Sequence, residues 1–346
     1  MSDAGARYER ITALAEDFTT PEADAVEALG ALWRERLTEL RESRALAAFN
    51  EQLYRRWAIE TGIIERLYAI DRGVTRLLVE RGLDIALMAH GSTDRPPEEI
   101  LPVLRDHRDA VDYVMDFVAG EHDLSVHFIR SLHQRLTAHQ DMVEAVDPFG
   151  RAVSVPLLHG DWKQQPNNPI RNDGTAHTYC PPMLVAEEMD RLIALCQAME
   201  ARKCPAAVVS AWLHHRFAQI HPFQDGNGRV ARALAAFVFI RRGLFPIVID
   251  RDDRGEYIAC LERADRGDIA PLVALWCRLQ TREITEALSL SETMETATGT
   301  PGAARTHLLA AIAEQARQRR QTVPARREAM LAAAERVFDD SVLPAL

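Results

Sequence analysis

The sequence predicts an all-α protein: a helical bundle core with one β-hairpin and helical extensions at both ends. Ala, Leu, Glu and Arg dominate the composition and aromatic residues make up only 6%, which favours helix over sheet. Apolar residues recur at helical spacing along most of the chain. Because 47% of the 346 residues are apolar, a sizeable core is available.

The N-terminal part is predicted to be helical almost throughout. Residues 22–46 form the first predicted helix, with Pro21 near its start, and the helical register continues over residues 47–60. Gly62 and Gly73 are predicted breaks. Another helix is expected from about Glu98, and two more meet near Gly120.

The middle of the chain predicts a single hairpin. From Gly150 to Pro182 the sequence is rich in Pro, Asn, Gly and Asp. Within this stretch Asp173-Gly174 lies between two short segments, and Asp-Gly tolerates the positive φ angles of tight hairpin turns. A β-hairpin is therefore expected at residues 169–179.

Helical patterns resume after the hairpin. The expected helices are 183–202, 205–220, 229–242 (with Gly243 as a C-cap), 256–264 and 270–290, followed by a linker at 296–304 and tail helices at 305–320 and 325–338. Three regions follow from this pattern: an N-terminal helical region at 1–119, a central domain at 120–290, and a linker with a helical tail at 291–346.

Composition argues against several classes of protein. The net charge is −10 with no domain-wide basic excess, so general nucleic-acid binding is not expected. The five cysteines contain no CxxC pair, which argues against a disulfide framework or a zinc knuckle. No signal-peptide-like apolar segment or apolar run long enough for a bilayer is present, so we expect a cytoplasmic protein without membrane contact.

The stretch "HPFQDGNGRVAR", His221 to Arg232, interrupts two apolar helices. Pro222 stops the first helix, and the glycines around Asn227 tolerate unusual backbone angles. Successive N–H groups in such a turn, followed by a helix N-terminus, form an anion site suited to phosphate. The loop is therefore predicted to bind a nucleotide polyphosphate.

The charged side chains of this stretch complete the prediction. Arg229 and Arg232 lie one turn apart, so both are expected to reach the same anion. A carboxylate, Asp225, beside this positive site is best explained by Mg²⁺ bridging it to phosphate oxygens. His221 is predicted to act as a base for an incoming hydroxyl.

These twelve residues match the Fic family pattern HxFx(D/E)GNGRxxR at every position, and the resemblance extends over about residues 120–285. It implies an all-helical fold with a hairpin flap and transfer of AMP from ATP to a Ser, Thr or Tyr hydroxyl of a target protein docked on that flap. The implied roles are His221 as base, Phe223 as core anchor, Asp225 as Mg²⁺ ligand and Arg232 on the γ-phosphate. Nucleotide contacts are further implied for Gly226, Asn227, Gly228, Arg229 and Tyr257.

One position of the putative base pocket departs from the family. The segment "YIACLERADRGD" resembles the stretch that lines the adenine pocket, but Asp265 stands where relatives often have asparagine. Tyr257 is expected either to pack on the base or to be a core aromatic residue.

The segment "TGIIER", Thr61 to Arg66, resembles the inhibitory helix of the family, (S/T)xxxE(G/N). The resemblance implies that Glu65 pairs with Arg232 and blocks the γ-phosphate site. Arg66 departs from the pattern, because relatives have Gly or Asn at this position.

Several alternatives remain open at the level of sequence. They are transfer of phosphate or of another nucleotide, removal of AMP with Glu65 orienting water, and a nucleotide-binding regulatory or toxin–antitoxin module without turnover. The sequence also leaves open whether the chain forms a homodimer. For the pair His214-His215, a structural role is favoured over a metal site, because helical metal pairs prefer i,i+4 spacing.

Overall fold

The computed structural model describes residues 8–40, 43–89, 91–146, 151–169 and 177–296. Within these ranges the chain is helical apart from one two-stranded antiparallel hairpin. Met1–Leu288 form one compact unit, and Ser289–Leu346 form a second one, of which only the end of the last helix is described. The fold class predicted from the sequence is confirmed, whereas the boundary predicted at 119/120 stays a prediction.

The elements follow one another with short connections. They are α1 (Pro21–Leu40), α2 (Arg44–Ile64), α3 (Arg72–Arg81), α4 (Pro97–Ala119), α5 (Val126–Leu136), β1 (Met142–Val146), β2 (Ala152–Pro156), α6 (Val185–Ala201), α7 (Ala206–Ile220), α8 (Asn227–Arg241), α9 (Arg254–Asp265) and α10 (Ala270–Thr296).

The centre of the first unit is the pair α7 and α8. Both helices are buried on nearly all sides, which explains why their sequences are apolar throughout and lack a single apolar stripe. Their largest side chains, including Trp212, Phe217, Phe237 and Phe239, are at most 1% exposed. The loop 221–226 joins these two helices, so the most rigid part of the fold positions it.

The N-terminal helices divide differently from the prediction. The predicted helix 22–46 with its continuation is instead α1 and α2, which begins after Ser43 because the Ser43 hydroxyl accepts hydrogen bonds from Ala45 N and Leu46 N. Gly62 lies inside α2 and does not break it. A Cβ at this position would lie 2.2 Å from the Tyr68 hydroxyl, so close packing accounts for the glycine.

The described hairpin is not the predicted one. β1 and β2 pair antiparallel with Met142 opposite Pro156, whereas the sequence analysis placed its only hairpin at 169–179. Residues 170–176 of the latter lie outside the described residues, and the flanking His177 N donates to Pro169 O at 2.9 Å. The alternation of Val143 and Ala145 with Val153 and Val155 was the overlooked signal.

The remaining expectations concern the C-terminal part and the cysteines. α10 runs to Thr296, six residues beyond the predicted end, and the tail helices predicted at 305–320 and 325–338 lie outside the described residues. All five cysteines are free thiols. In the part of the chain that the structure describes, no helix has the length and apolar character needed to cross a membrane.

Candidate active site

The backbone of loop 221–226 turns on two residues in the left-handed region. His221 ends α7 with φ 52°, and Gly226 precedes α8 with φ 75°. The Asn227 side chain closes the loop, because it accepts from Phe223 N at 2.9 Å and donates to Phe223 O at 2.8 Å. Phe223 is fully buried, as predicted for the core anchor.

A residue that the sequence analysis missed supports this loop from below. The ring of His133, from α5, stacks on Phe223 with centroids 3.8 Å apart. Gly160 N donates to its Nδ1 at 2.8 Å, so its Nε2 carries the proton and donates to Asp225 O at 3.0 Å. Burial lowers the pKa of His133 to about 4, so it is a neutral support. A histidine on the apolar face of α5, four residues after Ile129, was the available signal.

His221 is held as a neutral imidazole. Its Nδ1 lies 3.3 Å from Ala218 O, which leaves Nε2 as the ring atom that can accept a proton. Burial lowers the pKa of His221 to about 3, and the neighbouring Lys163 ammonium adds to this effect.

Asp225 lies at the mouth of the site with its side chain 38% exposed. Its Oδ2 accepts from Gln140 Nε2 at 2.6 Å and lies 3.5 Å from an Arg229 nitrogen. Burial pushes the pKa of Asp225 upward, but Arg229 and Gln140 outweigh this effect and leave the pKa below its ordinary value. The group is therefore a carboxylate at neutral pH.

These features fit the expected magnesium ligand. In the described residues there is no cluster of three or more His, Cys, Asp or Glu side chains that could hold a metal by itself. Mg²⁺ commonly binds through one or two carboxylates together with phosphate oxygens and water. One oriented and partly exposed carboxylate beside an anion site suits that mode of binding.

The two arginines do not converge on one point, contrary to the prediction. Arg229 is 1% exposed and turns toward the end of α5, where it donates to Leu136 O at 2.9 Å and to Gln140 Oε1. The i,i+3 spacing permits two directions, and the carbonyl groups at the end of α5 stabilise the inward one. Arg229 therefore acts on the site through Gln140 and Asp225.

Arg232 instead meets the turn that follows α2. It donates to Glu65 Oε1 at 2.8 Å and to Thr61 O at 3.2 Å. The same carboxylate lies against the first turn of α8, because a Cβ built on Gly228 would be 2.4 Å from Glu65 Oε1. The predicted contact between Glu65 and Arg232 is thus present in the structure.

Arg66 does not disturb this turn. It adopts φ 58°, the left-handed conformation that Gly or Asn adopts most readily. Arg66 N donates to Ile63 O, and Leu67 N donates to Gly62 O, both at 3.0 Å. These bonds are the two of a Schellman motif, which commonly ends helices with glycine. The departure from the family pattern therefore changes the energy of the turn and leaves its shape intact.

The segment predicted to line the base pocket is partly core. Tyr257 is 3% exposed and hydrogen-bonds His214 Nε2 at 2.9 Å, so it is the core aromatic residue of the two expected alternatives. His215 Nε2 lies 3.1 Å from Asp265 Oδ1, and His177 Nδ1 lies 3.9 Å from Asp265 Oδ2. The two adjacent histidines therefore have different partners and do not share a site.

Comparison with known proteins places this site in a family. Residues 123–239 match the model of the Fic/DOC family. The chain is 26% identical over 246 residues to protein adenylyltransferase fic-1 of Caenorhabditis elegans, covering 69% of this chain and 42% of the relative. It is 40% identical over 75 residues to protein adenylyltransferase Fic of Nematostella vectensis, covering 22% of this chain and 18% of the relative. The chain thus spans less than half the length of these relatives.

Solved structures share the fold. A Fic-domain signalling protein from Bacteroides thetaiotaomicron aligns with a TM-score of 0.61 at 22% identity, covering 76% of this chain and 95% of that protein. Fic-1 of Caenorhabditis elegans aligns with a TM-score of 0.58 at 21% identity, covering 79% and 73%. Residues 123–239, which carry the complete motif loop, are therefore a Fic domain, and through them the chain belongs to the Fic/DOC family.

Proposed function

We propose that the protein transfers AMP from ATP to a Ser, Thr or Tyr hydroxyl of a target protein, and that Glu65 inhibits this reaction. One observation supports the proposal above all: the Glu65 carboxylate lies at the N-terminus of α8, 2.8 Å from Arg232. The names of the curated relatives, protein adenylyltransferases, point to the same reaction.

The carboxylate stands in for a phosphate group. A helix N-terminus presents free N–H groups and a positive dipole end, and Gly228 allows an anion to approach the backbone closely. The buried Arg232, 3% exposed at its side chain, adds a guanidinium fork that suits carboxylate and phosphate alike. A site built to hold one anion internally is suited to hold the anion of a substrate.

The chemistry follows from the placement of the side chains. We assign His221 Nε2 as the acceptor of the proton of the attacking hydroxyl. The hydroxyl oxygen forms a bond to the α-phosphorus of ATP while the bond from that phosphorus to the pyrophosphate oxygen breaks, and pyrophosphate leaves. The N–H groups of residues 226–228 and Arg232 hold the phosphate chain, so positioning and charge neutralisation supply most of the rate.

The cofactor of the proposal is Mg²⁺, held by Asp225. When bound, it would neutralise charge on the phosphate oxygens. Gln140 and Arg229 keep the Asp225 carboxylate oriented and ionised. We assign Arg229 this supporting role in place of the direct phosphate contact predicted from the sequence.

The target is proposed to dock as an extended segment on the flap at 169–179. Main-chain pairing with a sheet edge accepts many sequences and places the hydroxyl by register. The residues that flank the flap lie next to the site, because His177 reaches Asp265 and Tyr179 contacts His221.

The proposal is tested with the Glu65→Gly protein, ATP and Mg²⁺. Intact-mass spectrometry is expected to show a gain of one AMP on the protein or on an added acceptor, with release of pyrophosphate. The Glu65→Gly/His221→Ala protein should bind ATP but show no gain. Equal AMP incorporation by both proteins would remove His221 from the mechanism, and no incorporation by either would contradict the transfer reaction.

A further inference from the structure

The partly buried Tyr179 lies on the catalytic histidine. Its ring is parallel to the imidazole of His221, with centroids 3.8 Å apart and planes inclined by 6°. Tyr179 lies outside the helices, in the segment between the flap and α6. The hydrophobic anchor of the loop is instead Phe223, which is fully buried on the other side of the motif.

The tyrosine ring is itself held from several directions. Its backbone N–H donates to Asn168 Oδ1 at 2.9 Å, and the His177 ring meets it edge-on with centroids 4.7 Å apart. The Lys163 ammonium, on a side chain that is 3% exposed, lies 5.6 Å from the ring centroid. A ring fixed in this way can hold the orientation of the group beneath it.

Lys163 also connects the tyrosine to the motif loop. Its Nζ donates to Asn167 Oδ1 at 2.8 Å, and Asn167 Nδ2 donates to Phe223 O at 2.9 Å. Its own backbone N–H donates to Pro222 O at 2.8 Å. The segment 163–168 therefore holds both the ring that covers His221 and the backbone that carries it.

We propose that Tyr179 is a positioning residue for the base: its stacked ring fixes the plane of the His221 imidazole and keeps water from one face. This inference rests on the transfer reaction proposed above. A general base must point its lone pair at the hydroxyl, and the single contact of Nδ1 with Ala218 O, at 3.3 Å, does not define the ring plane by itself. The stack supplies the second constraint.

The same stack explains why the imidazole is dry. The charged or titratable groups that face His221 are Lys163, Asp225 and His177, and burial outweighs each of them in lowering its pKa. Tyr179 covers one face of the ring, so its removal should admit water and raise the pKa of His221 toward its ordinary value. Because the lowered pKa keeps the base neutral, its protonated fraction at mildly acidic pH should then increase.

The test compares Tyr179→Ala, Tyr179→Leu and Tyr179→Phe in the Glu65→Gly protein. Histidine ring protons are followed by NMR during a pH titration, and His221 is assigned by the signal missing from His221→Ala. In the Ala and Leu proteins the His221 protons should move downfield through loss of the ring current. In the Ala protein the imidazole should also take up its proton at a higher pH. Tyr179→Phe should keep the parent values.

Kinetics supply the second readout. Tyr179→Ala should lower kcat for AMP incorporation about tenfold or more, with KM for ATP unchanged, because the triphosphate site is not touched. The loss should be larger at pH 6 than at pH 8, and Tyr179→Phe should restore the rate. Met183→Ala, a change at a nearby side chain that is 87% exposed, is the matched control.

Two results would overturn the inference: His221 signals and protonation unchanged in Tyr179→Ala, or an unchanged kcat in a protein that transfers AMP. Failure of the proposed function looks different. If the Glu65→Gly parent incorporates no AMP at all, the reaction is wrong, and the NMR signals alone decide whether Tyr179 holds the imidazole.

Discussion

At the scale of single residues, the motif arginines show how far the sequence reaches. Their identity and the chemistry of an anion site were predictable from twelve consecutive residues. Their directions were not, because Arg229 is fixed by Leu136 O and Gln140, about ninety positions earlier. A pattern read along the chain cannot supply partners from another helix.

Asp225 allows a direct test of the metal. In the Glu65→Gly background, Asp225→Ala should weaken ATP binding in the presence of Mg²⁺ by about tenfold or more, since the motif loop contains no other carboxylate. Binding without Mg²⁺ should change little. Titration calorimetry with and without Mg²⁺ measures both, with Asp161→Ala, a 60% exposed aspartate, as the control. An unchanged Mg²⁺ dependence would make Asp225 a turn residue only.

Arg66 gives a prediction about stability. Because it adopts φ 58°, Arg66→Gly should raise the free energy of unfolding by about 1 kcal/mol, and the turn that carries Glu65 should be retained. Lys203→Gly is a matched control, since Lys203 has φ 56° and ends α6 with the same pair of hydrogen bonds. Chemical denaturation measures both proteins. A gain for Lys203→Gly alone would show that the turn at Arg66 is not the one described.

At the scale of the secondary-structure elements, the end of α2 is held by arginines of the central domain. Arg232 donates to Thr61 O, and Arg254 donates to Ile64 O, each at 3.2 Å. Arg251 pairs with the buried Glu60 at 2.8 Å. Cations at a helix C-terminus are favoured by the helix dipole, so the same end that carries Glu65 is docked by charge. The sequence indicated the helix and its glutamate, but the arginines 251 and 254 could not be assigned to it.

Gly62 tests whether this docking controls the site. Gly62→Ala brings a Cβ to 2.2 Å from the Tyr68 hydroxyl, so α2 or Tyr68 must move. We expect a loss of about 1–3 kcal/mol in the free energy of unfolding, together with a several-fold rise in AMP incorporation as Glu65 shifts. Gly255→Ala, where nothing lies within 4 Å, should do neither. A destabilised protein with no rise in activity would show that Glu65 keeps its place without this packing.

At the scale of the whole molecule, the N-terminal helices and the Fic domain meet in one catalytic site. The fold class and most of the helices could be predicted, because helical periodicity and caps are local signals. The hairpin at 142–156 was overlooked because a stretch rich in turn residues follows it, and a stronger Asp-Gly signal at 173–174 drew the assignment. The contact between Glu65 and Arg232 joins residues 167 positions apart, and only the resemblance to a family indicated it.

The central claim is that the Glu65 carboxylate occupies the phosphate site, and the rate of AMP incorporation tests it most directly. The wild type, Glu65→Gln and Glu65→Gly are compared at equal ATP and Mg²⁺, with Glu65→Gly/Arg232→Ala as the paired variant. Glu65→Gly should exceed the wild type by more than tenfold, a barrier change of more than ~1.4 kcal/mol, and Glu65→Gln should lie between them. The paired variant should lose most of the gain, because both changes act on one contact. Indistinguishable rates for wild type and Glu65→Gly would contradict the account.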